Sequence, residues 1–148
     1  MTRGVLAAAL LGAAVAHAQT DGGADSCSVE VQLDGLRDGG LVWVLLFSEA
    51  QAAAYPTKRD QALQRLDVAP RDGKASVVFA PVACGLYAVA VVHDENGNAK
   101  LDTNVIGIPK EGLGASRNAR RMFGPPTFDD ARVRVTNGRT TLPITVVY

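Results

Sequence analysis

Residues 27–47 read CSVEVQLDGLRDGGLVWVLLF, and this stretch contains two kinds of strand. From Cys27 to Leu33 apolar and polar residues alternate. Cys27, Val29, Val31 and Leu33 therefore share one face and Ser28, Glu30 and Gln32 the other, as a half-buried strand requires. Gly35, Gly39 and Gly40 mark a turn, after which Leu41 to Phe47 is apolar at every position and rich in β-formers. That second run reads as a central strand, with Trp43 as core mass.

Outward from these strands the pattern stays β-rich. Glu49 to Pro70 is the least strand-like part. Thr57, followed three residues later by Asp60 and then by Ala62, Leu63 and Leu66, predicts one short capped helix serving as a crossover. Asp72-Gly73 is a turn pair before a strand at Ala75 to Phe79, and Pro81 to Gly85 turns the chain into a strand at Leu86 to His93. Near the end, strands at Ala131 to Val135 and Thr140 to Val147 flank Asn137-Gly138, which predicts a hairpin. Pro143 moves the last strand towards an edge or a bulge. The expected fold is an all-β antiparallel sandwich, immunoglobulin-like or transthyretin-like, of about seven strands with one short helix; a small barrel is the alternative.

The start of the chain has a different character. Met1-Thr2-Arg3 is a short basic opening, Val5 to Val15 is a run of small apolar residues, and Ala16-His17-Ala18 is a small-x-small exit, so residues 1–18 are expected to be a secretory signal peptide. Taking eighteen from 148 residues leaves 130, enough for one self-sufficient domain. Residues 19–26, rich in Gly and Asp, are expected to be a flexible leader, and residues 27–148 the sandwich domain. The expected location is periplasmic or extracellular. No later apolar run approaches the roughly 18 to 20 residues that cross a bilayer, so no transmembrane segment is expected. The whole chain has 15 basic and 15 acidic residues; without Arg3 the balance is −1, which gives no field to attract nucleic acid.

Cys27 and Cys84 are an even pair in a chain expected to be exported, so they are assigned a disulfide worth about 4 kcal/mol by loop closure. They lack CxxC spacing, which sets aside a redox motif or a zinc knuckle. His93 is the only histidine outside the signal region, so multi-histidine metal sites are set aside too. A hydrolytic triad would need His93, Asp94 and a nucleophile such as Ser116, but neighbours on one strand point opposite ways. His93 is instead read as a strand-end residue supporting the next loop, and no catalytic residue is assigned.

That loop is DENGNAKLD, Asp94 to Asp102. Counting from Asp94, side-chain oxygens fall at positions 1, 3, 5 and 9 (Asp94, Asn96, Asn98 and Asp102), with the Lys100 carbonyl at position 7. This is the rhythm in which a chain wraps a hard cation, and Ca²⁺ is the expected ion, weakly held at about 10⁻⁴ to 10⁻³ M and structural in role. Ala99 and Val105 replace the glycine and glutamate of a complete EF-hand, so further oxygens must come from Glu111, Asn104, Asp129, Asp130 or water. The competing reading is an Asn/Gly surface turn that caps its own backbone.

Thr103 to Thr127 reads as a long connection with little strand or helix character, which is where ligand sites concentrate. Lys110, Glu111, Arg117, Arg120, Arg121 and Phe123 are the candidate ligand-binding residues there. The alternative is a lid whose arginines pair with Glu111, Asp129 and Asp130.

YAVAVVHDENGNAKLDTNVIGIPKEG at Tyr87 to Gly112, followed by SRNARRMFGPPTFDDARV at Ser116 to Val133, resembles the bacterial exported family catalogued as domain of unknown function 2141. The resemblance rests on HDxNxNxKLD, GIPKEG, Asn118-Ala119 and FGPP with its following Phe-Asp-Asp-Ala, and family-like sequences carry Gly at Ala99. It implies a secreted β-sandwich domain and no particular activity. The resulting expectation is a non-enzymatic binding or structural module of the cell envelope, whose partner is a protein, a glycan or a small ligand. The alternative is a hydrolase or isomerase using Glu111 with Asp129 or Asp130 beside Arg117 or Arg120.

Overall fold

A computed structural model describes residues 26–148. The expected signal peptide, and the expected leader up to residue 25, lie outside the described residues. Among the described residues eight strands form two facing sheets: β1 (Ser26–Asp34), β2 (Leu41–Ser48), β3 (Gln64–Val68), β4 (Ala75–Ala83), β5 (Gly85–Asp94), β6 (Gly112–Ala115), β7 (Val133–Val135) and β8 (Gly138–Thr145). One sheet has the order β4-β1-β8. The other runs β3-β2-β5-β6, with β7 also on β5. The fold is an all-β sandwich, as expected, and among the described residues no helix is long and apolar enough to cross a membrane.

The alternating strand points inward as its period dictates. Val29, Val31 and Leu33 of β1 pack with Phe79 of β4 and Leu142 and Ile144 of β8, facing Val42, Val44 and Leu46 of β2 and Val89 and Val91 of β5. The uninterrupted run in β2 has a second use. Leu45 and Phe47 point the other way, into a second apolar cluster with Ala54, Tyr55, Ala88, Ala90, Ala115, Phe128 and Ala131. Both faces of this strand are therefore covered, and Trp43 is buried at 3% exposure. Cys27 and Cys84 form the expected disulfide, with Cα atoms 5.3 Å apart, tying the start of β1 to the β4–β5 junction.

Four local expectations are corrected. The predicted helix is replaced by two 3-10 turns, Glu49–Ala54 and Arg59–Gln61, followed by β3. Leu66 lies in β3, paired with Val44, because Gln64 to Val68 alternates with period 2 and β2 offers it a partner. β4 continues through Pro81 to Ala83; it is an edge strand, where a proline has no ladder bond to lose.

The predicted terminal hairpin is not formed. β7 pairs antiparallel with β5, whereas β8 crosses to the other sheet and runs parallel to β1 from Cys27↔Gly138 to Asp34↔Thr145. Pro143 does lie on an edge strand, as its missing N–H requires. The long connection also contains a strand, β6, paired with β5 from Ala90↔Ala115 to His93↔Gly112. Gly112 is needed there, since a Cβ would come within 2.6 Å of the Tyr148 ring and 2.7 Å of Val146 Cγ1, where the chain end crosses over β6. A short α-helix, α1 (Phe128–Ala131), is capped by Thr127, whose side chain accepts from the Asp130 N–H.

Candidate functional site

β5 delivers His93 and Asp94 buried at its end, at 0% and 2% exposure. His93 Nε2 bonds the Gly39 carbonyl at 2.7 Å and Nδ1 bonds the Tyr148 hydroxyl. With both nitrogens engaged, the histidine braces the β1–β2 turn and the chain end, and no nitrogen is left for a triad. Ser116 is equally committed: its Oγ accepts from Val89 N–H at 2.9 Å and donates to the Ala131 carbonyl at 2.6 Å.

Asp94 organises the next loop. Its Oδ1 accepts from Gly97 N–H at 2.8 Å and Asn98 N–H at 3.2 Å, and its Oδ2 accepts from Ala99 N–H at 2.8 Å. Three amides converging on one carboxylate wind the chain into a tight turn. Ala99 takes the left-handed conformation, φ 60°, at the position where an EF-hand has glycine. Asn96 Oδ1 accepts from Asn98 N–H at 3.0 Å, and Asn98 Oδ1 from Lys100 N–H at 2.9 Å. Each amide oxygen keeps a second lone pair.

The loop closes on Asp102, whose carboxylate accepts from Asn96 Nδ2 at 2.5 Å and from Asn98 Nδ2 at 2.9 Å. The Asn98 amide, then the Asn96 amide, hold the Asp102 carboxyl below the usual carboxylate range. These bonds serve a self-capped turn and an ion loop equally well.

Residues 102–110 then double back, through the Thr103↔Pro109 bridge and the bond from Lys110 N–H to the Asp102 carbonyl at 2.9 Å. This return places Glu111 beside the loop. Glu111 is 5% exposed, and among the described residues neither of its carboxylate oxygens has a hydrogen-bond partner. Burial raises its pKa, and the charges of Asp94 and Asp102 add to the rise. The Asp102 main chain pulls the other way, yet neither it nor the Asp94 carboxyl reaches hydrogen-bond geometry with Glu111. A cavity of about 390 Å³ opens here, lined by Glu95, Asn96, Asp102, Thr103, Lys110 and Glu111. Among the described residues no three His, Cys, Asp or Glu side chains already stand as a metal group, so an ion here would draw heavily on Asn and main-chain oxygens.

The candidate ligand-binding residues divide between places. Lys110 and Glu111 belong to the oxygen-lined cavity. Arg120 and Arg121 line a separate groove of about 840 Å³ on the outer face of the five-stranded sheet. Arg117 is exposed, with φ 61°, in the 3-10 turn Ser116–Asn118, and Phe123 is 86% exposed and lines neither space. Asp130 accepts from Arg121 Nε at 2.5 Å, which together with the Thr127 N–H and hydroxyl holds its carboxyl well below the usual range. Asp129 pairs with Arg132 at 3.2 Å. Glu111 lines the oxygen-lined cavity, whereas Asp129 and Asp130 are not among its lining residues and pair with Arg132 and Arg121.

The groove brings in residues that the sequence reading passed over. Its floor includes Trp43, Leu45 and Ala115, and the Arg59 guanidinium lies 4.0 Å from the centre of the Trp43 ring. Sixteen positions separate Arg59 from Trp43 in the chain, and no local pattern links them.

Two facing sheets and one oxygen-rich loop at the end of a central strand define a small all-β sandwich domain with a candidate cation site. The chain belongs to the family described as "Uncharacterized protein conserved in bacteria (DUF2141)", which it matches over residues 31–143. No curated protein and no solved structure matches it.

Proposed function

We propose that this chain is an exported, non-enzymatic β-sandwich module of the bacterial cell envelope in which one weakly held, structural Ca²⁺ fixes the connection from Thr103 to Thr127 as a binding surface. Glu111 carries this reading. A buried carboxylate with no donor on either oxygen costs several kcal/mol unless a cation or a proton compensates it. Glu111 faces the cavity that Asp102 and Asn96 also line. It would serve as the carboxylate missing from position 12, beside Asp94, Asn96, Asn98, Asp102 and the Lys100 carbonyl. Lys110, at the same cavity, would have to swing aside, which an exposed side chain does freely. The disulfide supports the export half of the reading, because such bonds persist in oxidising compartments.

The test is thermal melting of the EDTA-stripped protein with and without CaCl₂. At ten times the dissociation constant the ion adds about 1.4 kcal/mol, which raises Tm by about 5 °C. Asp94→Ala and Asp102→Ala lower the baseline Tm and lose the calcium increment. A wild-type protein with no calcium-dependent rise at millimolar concentration removes the ion from the account.

A further inference from the structure

We propose that the groove on the outer face of the five-stranded sheet binds a single-chain amphiphilic anion, with its acidic head at Arg59 and its apolar tail along Leu101, Ile108 and Met122, which are exposed apolar side chains of its lining. The groove holds about 840 Å³, within the range of small-molecule sites. Its charged lining among the described residues is of one sign: Arg59, Lys100, Arg120 and Arg121 border it, and no Asp or Glu of that part of the chain does.

Arg121 is engaged by Asp130, but Arg59 lies over the Trp43 ring with its Nη1 buried and, among the described residues, without an acceptor. A buried guanidinium N–H left unbonded is unfavourable, and a small turn of the Arg59 side chain, which borders the groove, would offer it to an anionic oxygen as a charge-assisted bond. A cation fixed over an apolar floor calls for a ligand with one acidic end and a hydrocarbon body. A peptide fits less well. The floor is a sheet face, whose backbone groups are already paired, so a peptide would bring N–H and C=O groups that this wall cannot satisfy. The inference rests on the proposed function in one respect: the outer wall, from Leu101 to Pro126, is the connection that the ion would hold.

Trp43 is the only tryptophan, so its emission reports directly on the groove. The full, disulfide-intact chain in calcium is titrated with dodecanoate and with dodecyl phosphate below their micelle concentrations, and with dodecanol as the uncharged control. The expected result is saturable Trp43 quenching or a spectral shift, with at least one anion binding about tenfold or more tighter than dodecanol; the stronger of the two identifies the head as carboxylate or phosphate. Arg59→Gln should remove most of that preference while leaving dodecanol binding in place. If Arg59→Gln does not fold, the wild-type ratio of anion to alcohol still decides. No saturable response, equal binding of dodecanol, an unchanged preference in folded Arg59→Gln, or tighter binding of a proline-rich peptide would each overturn the proposal. A calcium-dependent Tm rise without amphiphile binding defeats this inference alone, and amphiphile binding without any calcium response defeats only the ion.

Discussion

Gly40 stands directly against Asp94: a Cβ on Gly40 would overlap the Asp94 carbonyl oxygen and lie 2.7 Å from the Glu95 Cα. The contact seats the β1–β2 turn on the first residue of the oxygen-rich loop, beside the bond from His93 to Gly39. Gly40 also has a left-handed backbone, φ +66°, whereas Gly39, at φ +90°, has nothing within 4 Å of its virtual Cβ.

Gly40→Ala should therefore combine backbone strain with a main-chain clash and cost about 3 kcal/mol or more, while Gly39→Ala carries the strain alone, about 1 kcal/mol. Urea unfolding of the two variants checks this. Equal losses would mean that the close approach to Asp94 is not a real constraint.

Ala99 is strained in the opposite sense. It holds φ 60° because three amides must point at Asp94, and an alanine methyl makes that conformation costly. Ala99→Gly should stabilise the protein by up to about 1 kcal/mol, a Tm gain of roughly 4 °C. A loss of stability in the melt would show that the turn is not wound as described.

Asp130 gives a pH dependence. Arg121, then Thr127, hold its carboxyl below the unfolded value of about 4, so the stabilisation is complete above that pH and is lost as pH falls towards the lowered native value. Asp130→Asn should lower Tm by a margin that is constant from pH 7 down to about 4 and shrinks below it. A margin that grows on acidification contradicts the assignment.

Glu111→Gln separates the ion from the bare fold. Removing an uncompensated buried charge should raise the stability of the EDTA-stripped protein, on the order of 1 kcal/mol, and at the same time abolish the calcium increment. Paired melts with EDTA and with CaCl₂ read both signs. A variant less stable than wild type in EDTA would mean that the carboxylate is satisfied without a cation.

The legible parts of the fold were those in which one pattern admits one structure. Leu41 to Phe47 is apolar on both faces because Val42, Val44 and Leu46 fill the space between sheets while Leu45 and Phe47 fill the outer cluster. Asp94, Asn96, Asn98 and Asp102 were legible as a group because their spacing is local and hydrogen bonds within the loop join them. Where the deciding partner was distant, reading failed. Leu66 suited a short helix as well as a strand until β2 claimed it. Asn137-Gly138 serves a crossing between sheets as readily as a hairpin, and the choice rested on Val133 and Val135 pairing with Tyr87 and Gly85. Glu111 was one of several oxygen candidates in the sequence, and only the return of residues 102–110 singles it out. Arg59 over Trp43 was invisible for the same reason.

Diffraction from crystals grown in calcium bears most directly on the central claim. The account predicts an anomalous peak about 2.3–2.6 Å from oxygens of Asp94, Asn96, Asn98, the Lys100 carbonyl and Glu111, with Asp102 coordinating directly or through water. A map with no peak there, and with the Glu111 oxygens bonded to protein or water, would contradict it.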